Sequence, residues 1–328
     1  MTSYQVVKIL TLHPDEIVHQ IRQGSIRVAA KLITVVENQI PESREVLKRL
    51  YLLGQTSHVV GITGPPGSGK STIVDGLIHK YRASDKTVAV LAVDPSSPYS
   101  GGAILGDRVR MSAHDADSGV FIRSMASRGS LGGVAQATAE ALLVLGAMSW
   151  DMVLLETVGV GQNEIDVVRH ASTVVLTITP ESGDVIQTSK AGIMEIADVY
   201  VVNKSDLPNA SQMSRAVRES VHADATRSSK AVIETKATTT EGLQDLIKAI
   251  DAHATFLETH PDTAKARARD RLKHWLLDLH SEARSRERRR ITTSKEFSHQ
   301  LDLLLMHKTD PYASIDLMLK QTSDRPFS

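Results

Sequence analysis

The chain has 328 residues, of which 41% are hydrophobic and 23% are charged. This composition suffices for one α/β domain of about 200 residues with smaller additions. Lysine plus arginine and aspartate plus glutamate each total 38, so the formal net charge is zero. The chain therefore has no overall positive charge that would attract nucleic acid or an anionic membrane. The absence of cysteine excludes disulfides, thiolate metal sites and thiol redox catalysis. No signal-peptide pattern and no membrane-length apolar run occurs, so we expect a cytoplasmic protein that does not contact a membrane.

Residues 1–55 predict a helical extension. Apolar residues recur at helical spacing, as in Ile17, Ile21 and Leu32, and Pro14 and Pro41 stand near expected helix starts. Nothing in this segment resembles a catalytic motif. The periodicity favours a role in packing or in docking a partner.

Residues 56–258 predict a single nucleotide-binding domain in which strands and helices alternate. Short apolar runs rich in β-branched residues predict strands at Val59–Thr63, Thr87–Val93, Asp151–Thr157, Thr173–Thr179, Val199–Asn203 and Ala231–Thr235. The alternation predicts an α/β fold with a mostly parallel sheet and helices on both of its faces. Ligands of such sheets lie at the carboxyl ends of the strands, so the chemistry is expected there.

A phosphate-binding loop follows the first predicted strand. The stretch GITGPPGSGKST ends at Thr72 and contains the pattern G-x-x-x-x-G-K-S, with a helical pattern after it. Glycines let the backbone approach a phosphate chain, a lysine reaches the terminal phosphates, and a hydroxyl contacts Mg²⁺. The predicted contacts are Gly64, Pro65, Pro66, Gly67, Ser68, Gly69, Lys70, Ser71 and Thr72. The chain is therefore expected to bind a nucleoside triphosphate.

Carboxylates follow two further strands. Asp94 comes after the second predicted strand, Asp107 lies in the glycine-rich stretch beyond it, and Glu156 ends the third. Such groups hold Mg²⁺ or orient an attacking water, although acidic residues also serve as simple helix caps. We predict Mg²⁺ contacts from Ser71, Asp94, Asp107 and Glu156, and catalytic roles for Lys70, Asp107, Arg110 and Glu156. Gly159 is placed to meet a γ-phosphate through its backbone N–H.

The fifth predicted strand ends in Asn203-Lys204-Ser205-Asp206. In an α/β nucleotide-binding domain, N-K-x-D selects guanine, because the aspartate accepts hydrogen bonds from the ring N1–H and the exocyclic amine. Four residues of this kind also occur in ordinary turns, but the position at a strand end downstream of a phosphate loop favours GTP and GDP as ligands. Lys236 and Ala237, after the last predicted strand, are candidates for a second base-contact loop.

These motifs together resemble the MeaB/ArgK family, the GTPase chaperones of adenosylcobalamin-dependent acyl-CoA mutases. Besides the phosphate loop and N-K-S-D, the resemblance rests on LAVDPSS at 91–97, GDRVRM at 106–111, LGGVA at 131–135 and ETVGVGQ at 156–162. It covers residues 56 to 258, with helical extensions at both ends. The resemblance implies a homodimeric metallochaperone that hydrolyses GTP and gates cofactor delivery to, and protection or reactivation of, a mutase.

The resemblance also implies a partner-coupling segment at residues 183–192. Asp184, Gln187 and Lys190 match the family, whereas several neighbouring residues depart from its usual G-D-E-L-Q-G-I-K-K-G. If the segment is helical, the three side chains share one side of the helix. That side is either the contact with the partner or an ordinary solvated face. The departures leave two classes of target open. One is a methylmalonyl-CoA mutase, and the other is a related isobutyryl- or 2-hydroxyisobutyryl-CoA mutase.

Residues 259–328 return to a helical pattern and predict a C-terminal dimerisation arm. The basic run from Arg284 to Arg290 lies in a neutral chain without interleaved aromatics, so we expect a solvated face and no nucleic-acid partner. The histidines show no metal-ligand spacing. The alternative function is a P-loop ATPase or kinase coupled to transport of basic amino acids, which Asn203-Lys204-Ser205-Asp206 disfavours.

Overall fold

The computed structural model describes residues 8–54, 57–94, 114, 116–126, 131–157, 169–182, 193–222 and 230–323. A 3-10 turn at Lys8–Thr11 comes first. The helices are α1 (Pro14–Arg22), α2 (Ile26–Glu37), α3 (Ser43–Leu52), α4 (Lys70–Arg82), α5 (Leu131–Gly146), α6 (Ile193–Ile196), α7 (Ala210–His222), α8 (Leu243–Thr259), α9 (Pro261–Thr292), α10 (Lys295–Leu305) and α11 (Pro311–Ser323). Two compact units result, Met1–Trp275 and Leu276–Ser328, and α9 runs through both. The three-part division drawn from the sequence stays a prediction.

Seven parallel strands form the sheet of the first unit. They are β1 (His58–Thr63), β2 (Val88–Asp94), β3 (Val120–Ala126), β4 (Met152–Thr157), β5 (Thr173–Ile178), β6 (Val199–Asn203) and β7 (Ala231–Thr235). The order across the sheet is β3-β2-β4-β1-β5-β6-β7. The chain leaves β1 toward one side of the sheet and, after β4, crosses to the other side. This reversal opens a crevice at the carboxyl end of β1, where ligands of parallel sheets bind.

The parallel α/β fold confirms the prediction, with one strand missed. The run from Val120 to Ala126 pairs in parallel with β2 along its whole length. Its polar residues Arg123 and Ser124 interrupt the apolar pattern, so the sequence did not predict a strand here. Arg123 donates to Glu37 Oε2 at 2.8 Å and to Thr34 Oγ1 at 3.0 Å, both on α2. The helix beside this edge strand therefore gives the arginine polar partners.

Both faces of the sheet are buried, as a parallel sheet requires. Along β2, Ala89, Leu91 and Val93 join a core with the N-terminal helices α1–α3 and with α5. The alternate residues Val88 and Val90 join a second core with α4 and α8. The N-terminal helices thus pack on one face of the sheet, which is one of the two roles predicted for them.

A buried ion pair attaches the start of α9 to the sheet. Asp198, which precedes β6, accepts from Arg267 Nη1 and Nη2 at 2.8 and 2.7 Å and from the Val174 amide at 2.9 Å. Its side chain is 2% exposed. His253 lies 3.5 Å away, and burial lowers the pKa of that histidine, which keeps it neutral. Arg267 is therefore the principal cation facing the Asp198 carboxylate in the described part of this unit.

None of the described helices combines the length and the apolar character needed to cross a membrane.

Arg267→Ala is expected to lower the free energy of unfolding by about 3 kcal/mol, because it leaves the buried Asp198 charge without its guanidinium. Urea denaturation of the full chain measures the loss. The matched control is Arg269→Ala, since Arg269 is exposed on the same helix and its loss is expected to cost under about 0.5 kcal/mol. Equal stabilities of the two variants would show that the ion pair is not stabilising.

Candidate nucleotide-binding site

The loop between β1 and α4 takes a shape that only glycine permits at two of its positions. Gly64 has φ 144°, and a Cβ there would lie 1.9 Å from the carbonyl oxygen of Thr177 on β5. Gly69 has φ 90°, and its Cβ would lie 2.2 Å from Asn203 Nδ2. Both angles lie in the left-handed region that disfavours side chains. The loop is therefore seated directly against the ends of β5 and β6.

Lys70 is the first residue of α4, and it is buried. Its Nζ donates to the carbonyl oxygens of Gly64 at 2.6 Å and Pro65 at 3.0 Å. The side chain thus turns back along the loop and keeps its charge beside the loop backbone. A lysine in this position supplies a point charge for the terminal phosphates of a nucleotide.

Ser71 and Glu156 meet beside this lysine. Ser71 Oγ donates to Glu156 Oε1 at 2.5 Å, and Glu156, near the end of β4, is fully buried. A hydroxyl oxygen and a carboxylate oxygen at one point, next to a phosphate loop, form a donor set of the kind that Mg²⁺ prefers. The residues present therefore fit the magnesium ion expected with the nucleotide.

Two further buried hydroxyls line this end of the sheet. Within the described part of the chain, Thr63 Oγ1 and Ser68 Oγ have no hydrogen-bond partner. Buried polar atoms normally have one, so such atoms at the rim of a loop favour a polar ligand. Ser68 belongs to the predicted phosphate contacts, whereas Thr63 was predicted only as the last residue of a strand.

The Asn203 side chain joins three segments of the site. Its Nδ2 donates to the Ser68 carbonyl at 2.8 Å, and its Oδ1 accepts from Thr235 Oγ1 at 3.0 Å and from the Ala237 amide at 3.2 Å. The residue is 3% exposed. Because all of these bonds are buried, Asn203 fixes the phosphate loop relative to the segment after β7. This location supports the role of Ala237 in a second base-contact loop.

The two candidate base-contact segments approach each other. Lys236 Nζ lies 3.7 Å from Asp206 Oδ2, and both side chains remain partly exposed. Lys204 takes φ 58°, and its Nζ lies 3.5 Å from Glu181 Oε2, beyond β5. The Ser205 amide donates to the Thr235 carbonyl at 3.0 Å, which links the two segments through their backbones. Asp206 is thus accessible to a base placed between them.

The structure therefore groups most of the predicted site residues at the carboxyl ends of β4, β1, β6 and β7. Asp94 ends β2, and its side chain is not among those described. Asp107, Arg110, Gly159, Asp184, Gln187 and Lys190 lie outside the described residues. Sequence reasoning missed the Thr177 carbonyl that seats Gly64 and the Glu181 carboxylate beside Lys204, because neither belongs to a motif.

Comparison with known proteins gives a consistent result. Residues 29–292 match the family model described as methylmalonyl-CoA mutase-associated GTPase MeaB. A relative from Pyrococcus horikoshii that carries a GTPase name is 42% identical over 317 residues, covering 95% of this chain and 99% of the relative. The mouse protein named methylmalonic aciduria type A homolog, mitochondrial, is 38% identical over 198 residues, covering 56% of this chain and 48% of its own length.

A solved structure agrees on the fold. The crystal structure of a protein called LAO/AO transport system kinase matches with a TM-score of 0.66, covering 94% of this chain and 97% of its own. Its sequence identity is 24%, so the match bears on the fold alone.

Asn203→Ala is expected to lower the affinity for GTP and GDP at least about ten-fold, because it removes three buried hydrogen bonds worth about 1 kcal/mol each. Isothermal titration calorimetry measures the affinities. The matched control, Thr235→Val, removes one of the three bonds and should weaken binding only a few-fold. If both variants bind as the parent does, the asparagine does not organise the nucleotide site.

Asp206→Asn is expected to shift the base preference from guanine to xanthine. Guanine offers two donors to the carboxylate, whereas xanthine replaces the amine with a carbonyl that needs an amide donor. The mismatch costs about 1–3 kcal/mol, and competition between GTP and XTP measures it. Asp245→Asn, a neutralisation at an exposed carboxylate on α8, is the control and should leave selectivity unchanged. Unchanged selectivity in Asp206→Asn would identify N-K-S-D as an ordinary turn.

Proposed function

The chain belongs to the family of methylmalonyl-CoA mutase-associated GTPases and is itself a GTPase, and from this membership we propose that it controls the loading of adenosylcobalamin into an acyl-CoA mutase. In this role it hydrolyses GTP, gates delivery of the cofactor, and protects or reactivates the mutase. The partner part of the proposal is supported by the family description and by the name of the mouse relative.

The main structural support for binding of a guanine nucleotide is the position of Asn203. One buried side chain contacts the phosphate loop at Ser68 and the predicted base-contact loop at Ala237. The phosphate loop and the base loop are thereby coupled through a single side chain. This coupling suits a site that binds the two ends of one guanine nucleotide.

The chain's own residues have separable tasks in hydrolysis. Lys70 neutralises charge on the terminal phosphates, and the glycines admit the phosphate chain to the backbone. Ser71 and Glu156 would hold Mg²⁺, which supplies further charge neutralisation when it is bound. Asp107 and Arg110 are proposed to complete the catalytic set, and Asp94 to support the metal.

Hydrolysis by the isolated chain is proposed to be slow. Val160 follows Gly159, and Gln162 comes only later, so the residue directly after the proposed γ-phosphate contact is not a glutamine that could aim water. A partner that acts on the loops around Asp107, Arg110 and Glu156 would complete the site. We place the partner contact at Asp184, Gln187 and Lys190, which share one side of a helix if the segment is helical.

The second unit supports a homodimer. At the end of α10 Leu305 is 79% exposed and the following Met306 62%, and Tyr312 at the start of α11 is 81% exposed. Several large apolar side chains exposed in one small unit favour an interface. We propose that this arm pairs with a second copy of the chain.

The target mutase is proposed to be a methylmalonyl-CoA mutase or a related isobutyryl- or 2-hydroxyisobutyryl-CoA mutase. The transport-coupled kinase alternative finds support only in the name of a solved protein that is 24% identical, and that likeness bears on fold alone. The GTPase family match disfavours it.

GTP turnover by the purified chain is expected to lie well below the roughly 1–100 s⁻¹ typical of kinases. It should rise when a cobalamin-dependent acyl-CoA mutase is added. Phosphate release assays with each candidate mutase measure this effect. Fast turnover that no mutase changes would contradict the proposal.

The double variant Asp184→Ala, Lys190→Ala separates partner coupling from nucleotide binding. It should keep GTP affinity within a few-fold and lose the stimulation by the mutase. The matched control is Asp245→Ala with Lys248→Ala, because these residues form an exposed acid–base pair three residues apart on α8, at 2.9 Å. If the first double variant is stimulated as strongly as the control, the coupling surface lies elsewhere.

A further inference from the structure

Three potential metal ligands meet on the side of α4. Asp75 and His79 are one helical turn apart, and His114, just before β3 in the chain, joins them. His114 Nε2 lies 2.8 Å from Asp75 Oδ1, and His79 Nε2 lies 3.9 Å from Asp75 Oδ2. The two imidazole rings are 4.6 Å apart between centroids. The sequence predicted no histidine cluster, because 35 residues separate His79 from His114.

The spacing of these ligand atoms suits a transition metal. One ligand atom from each residue can be chosen so that all lie within 4.8 Å of one another. Metal bonds of about 2.0–2.2 Å place ligand atoms roughly 3–4 Å apart, so a small inward movement would form the site. The His79 side chain is 62% exposed, so it has room for this inward movement, whereas the His114 side chain is 5% exposed and fixed by burial.

The donor chemistry selects the class of ion. Two imidazoles and one carboxylate suit Zn²⁺ and its neighbours Co²⁺ and Ni²⁺, whereas Mg²⁺ prefers oxygen ligands and retains several waters. The Asp75 carboxylate also offsets the charge of the ion. Arg82, three residues after His79 on α4, donates to Asp117 at 2.8 and 3.0 Å, so its charge is balanced.

We propose that Asp75, His79 and His114 form a binding site for a divalent transition-metal ion of the zinc class, separate from the predicted magnesium site. Three protein ligands leave a fourth position open to water, because His79 stands at the surface. Asp75 is five residues along α4 from Lys70, roughly 7.5 Å at the rise of an α-helix. The ion would join the helix that begins with the phosphate-binding lysine to the chain that enters β3.

Binding of Zn²⁺ alone to the full-length, metal-free chain tests this site. Titration calorimetry is expected to give one equivalent of Zn²⁺ at this site, and Co²⁺ is expected to give the visible absorption of a bound nitrogen-ligated ion. His79→Ala should weaken Zn²⁺ binding at least about ten-fold, a loss comparable to that for removal of groups supporting a metal site. His79 is exposed, so the variant is expected to fold, and circular dichroism is the measurement that checks its folding.

The matched control is His274→Ala. Asp270 and His274 form another aspartate–histidine pair four residues apart, at 3.7 Å, but no third ligand joins them among the described residues. Its Zn²⁺ affinity should stay within two-fold of that of the parent. Absence of Zn²⁺ binding, or equal affinities of the His79→Ala variant and the parent, would overturn the proposal. Mg²⁺ competing as effectively as Co²⁺ would overturn the assignment of the ion class.

Discussion

The structure of the site depends on the buried amide of Asn203. Its oxygen and its nitrogen bond in opposite directions, to the segment after β7 and to the phosphate loop. A backbone carbonyl and a backbone amide would otherwise lose their partners in the interior, where an unsatisfied group costs about 1–3 kcal/mol. Gly69 is required by the same contact, because any Cβ at this position would collide with the Asn203 amide. Asn203 of the guanine motif thus also requires glycine at position 69 of the phosphate loop.

The sheet supplies the rigid support that this arrangement needs. Strands β4, β1, β5, β6 and β7 are consecutive neighbours, so the side chains after them lie along one edge. Both faces are buried, one under α4 and α8 and the other under the N-terminal helices and α5. Close packing on both faces restricts displacement of a strand end. The N-terminal helices therefore stabilise the nucleotide site although none of their residues belongs to it.

Sequence patterns were sufficient for the parts of the molecule that obey local rules. The phosphate loop and N-K-S-D have fixed spacings because the backbone geometry near a nucleotide fixes them, and strands buried on both faces read as continuous apolar runs. Strand β3 escaped notice because Arg123 is accommodated by Glu37 and Thr34, which lie far away in sequence. Contacts of this kind depend on tertiary packing. The Thr177 carbonyl beside Gly64 could not be predicted for the same reason, since it is a backbone atom of an ordinary strand.

The helix α4 carries part of the phosphate-binding motif and also part of the cluster of Asp75, His79 and His114, which matches no sequence motif. Its first turn carries Lys70 and Ser71, whose identities follow from the chemistry of phosphate and Mg²⁺. Asp75 and His79, one and two turns later, form no motif in the sequence, and only the approach of His114 gives them a shared chemistry. His114 is buried against Asp75, so the chain before β3 is attached to α4 through this contact whether or not an ion is bound. Any ligand that tightens the contact acts on a helix whose first residue faces the phosphate loop. A path from this cluster to the nucleotide therefore passes along a single helix.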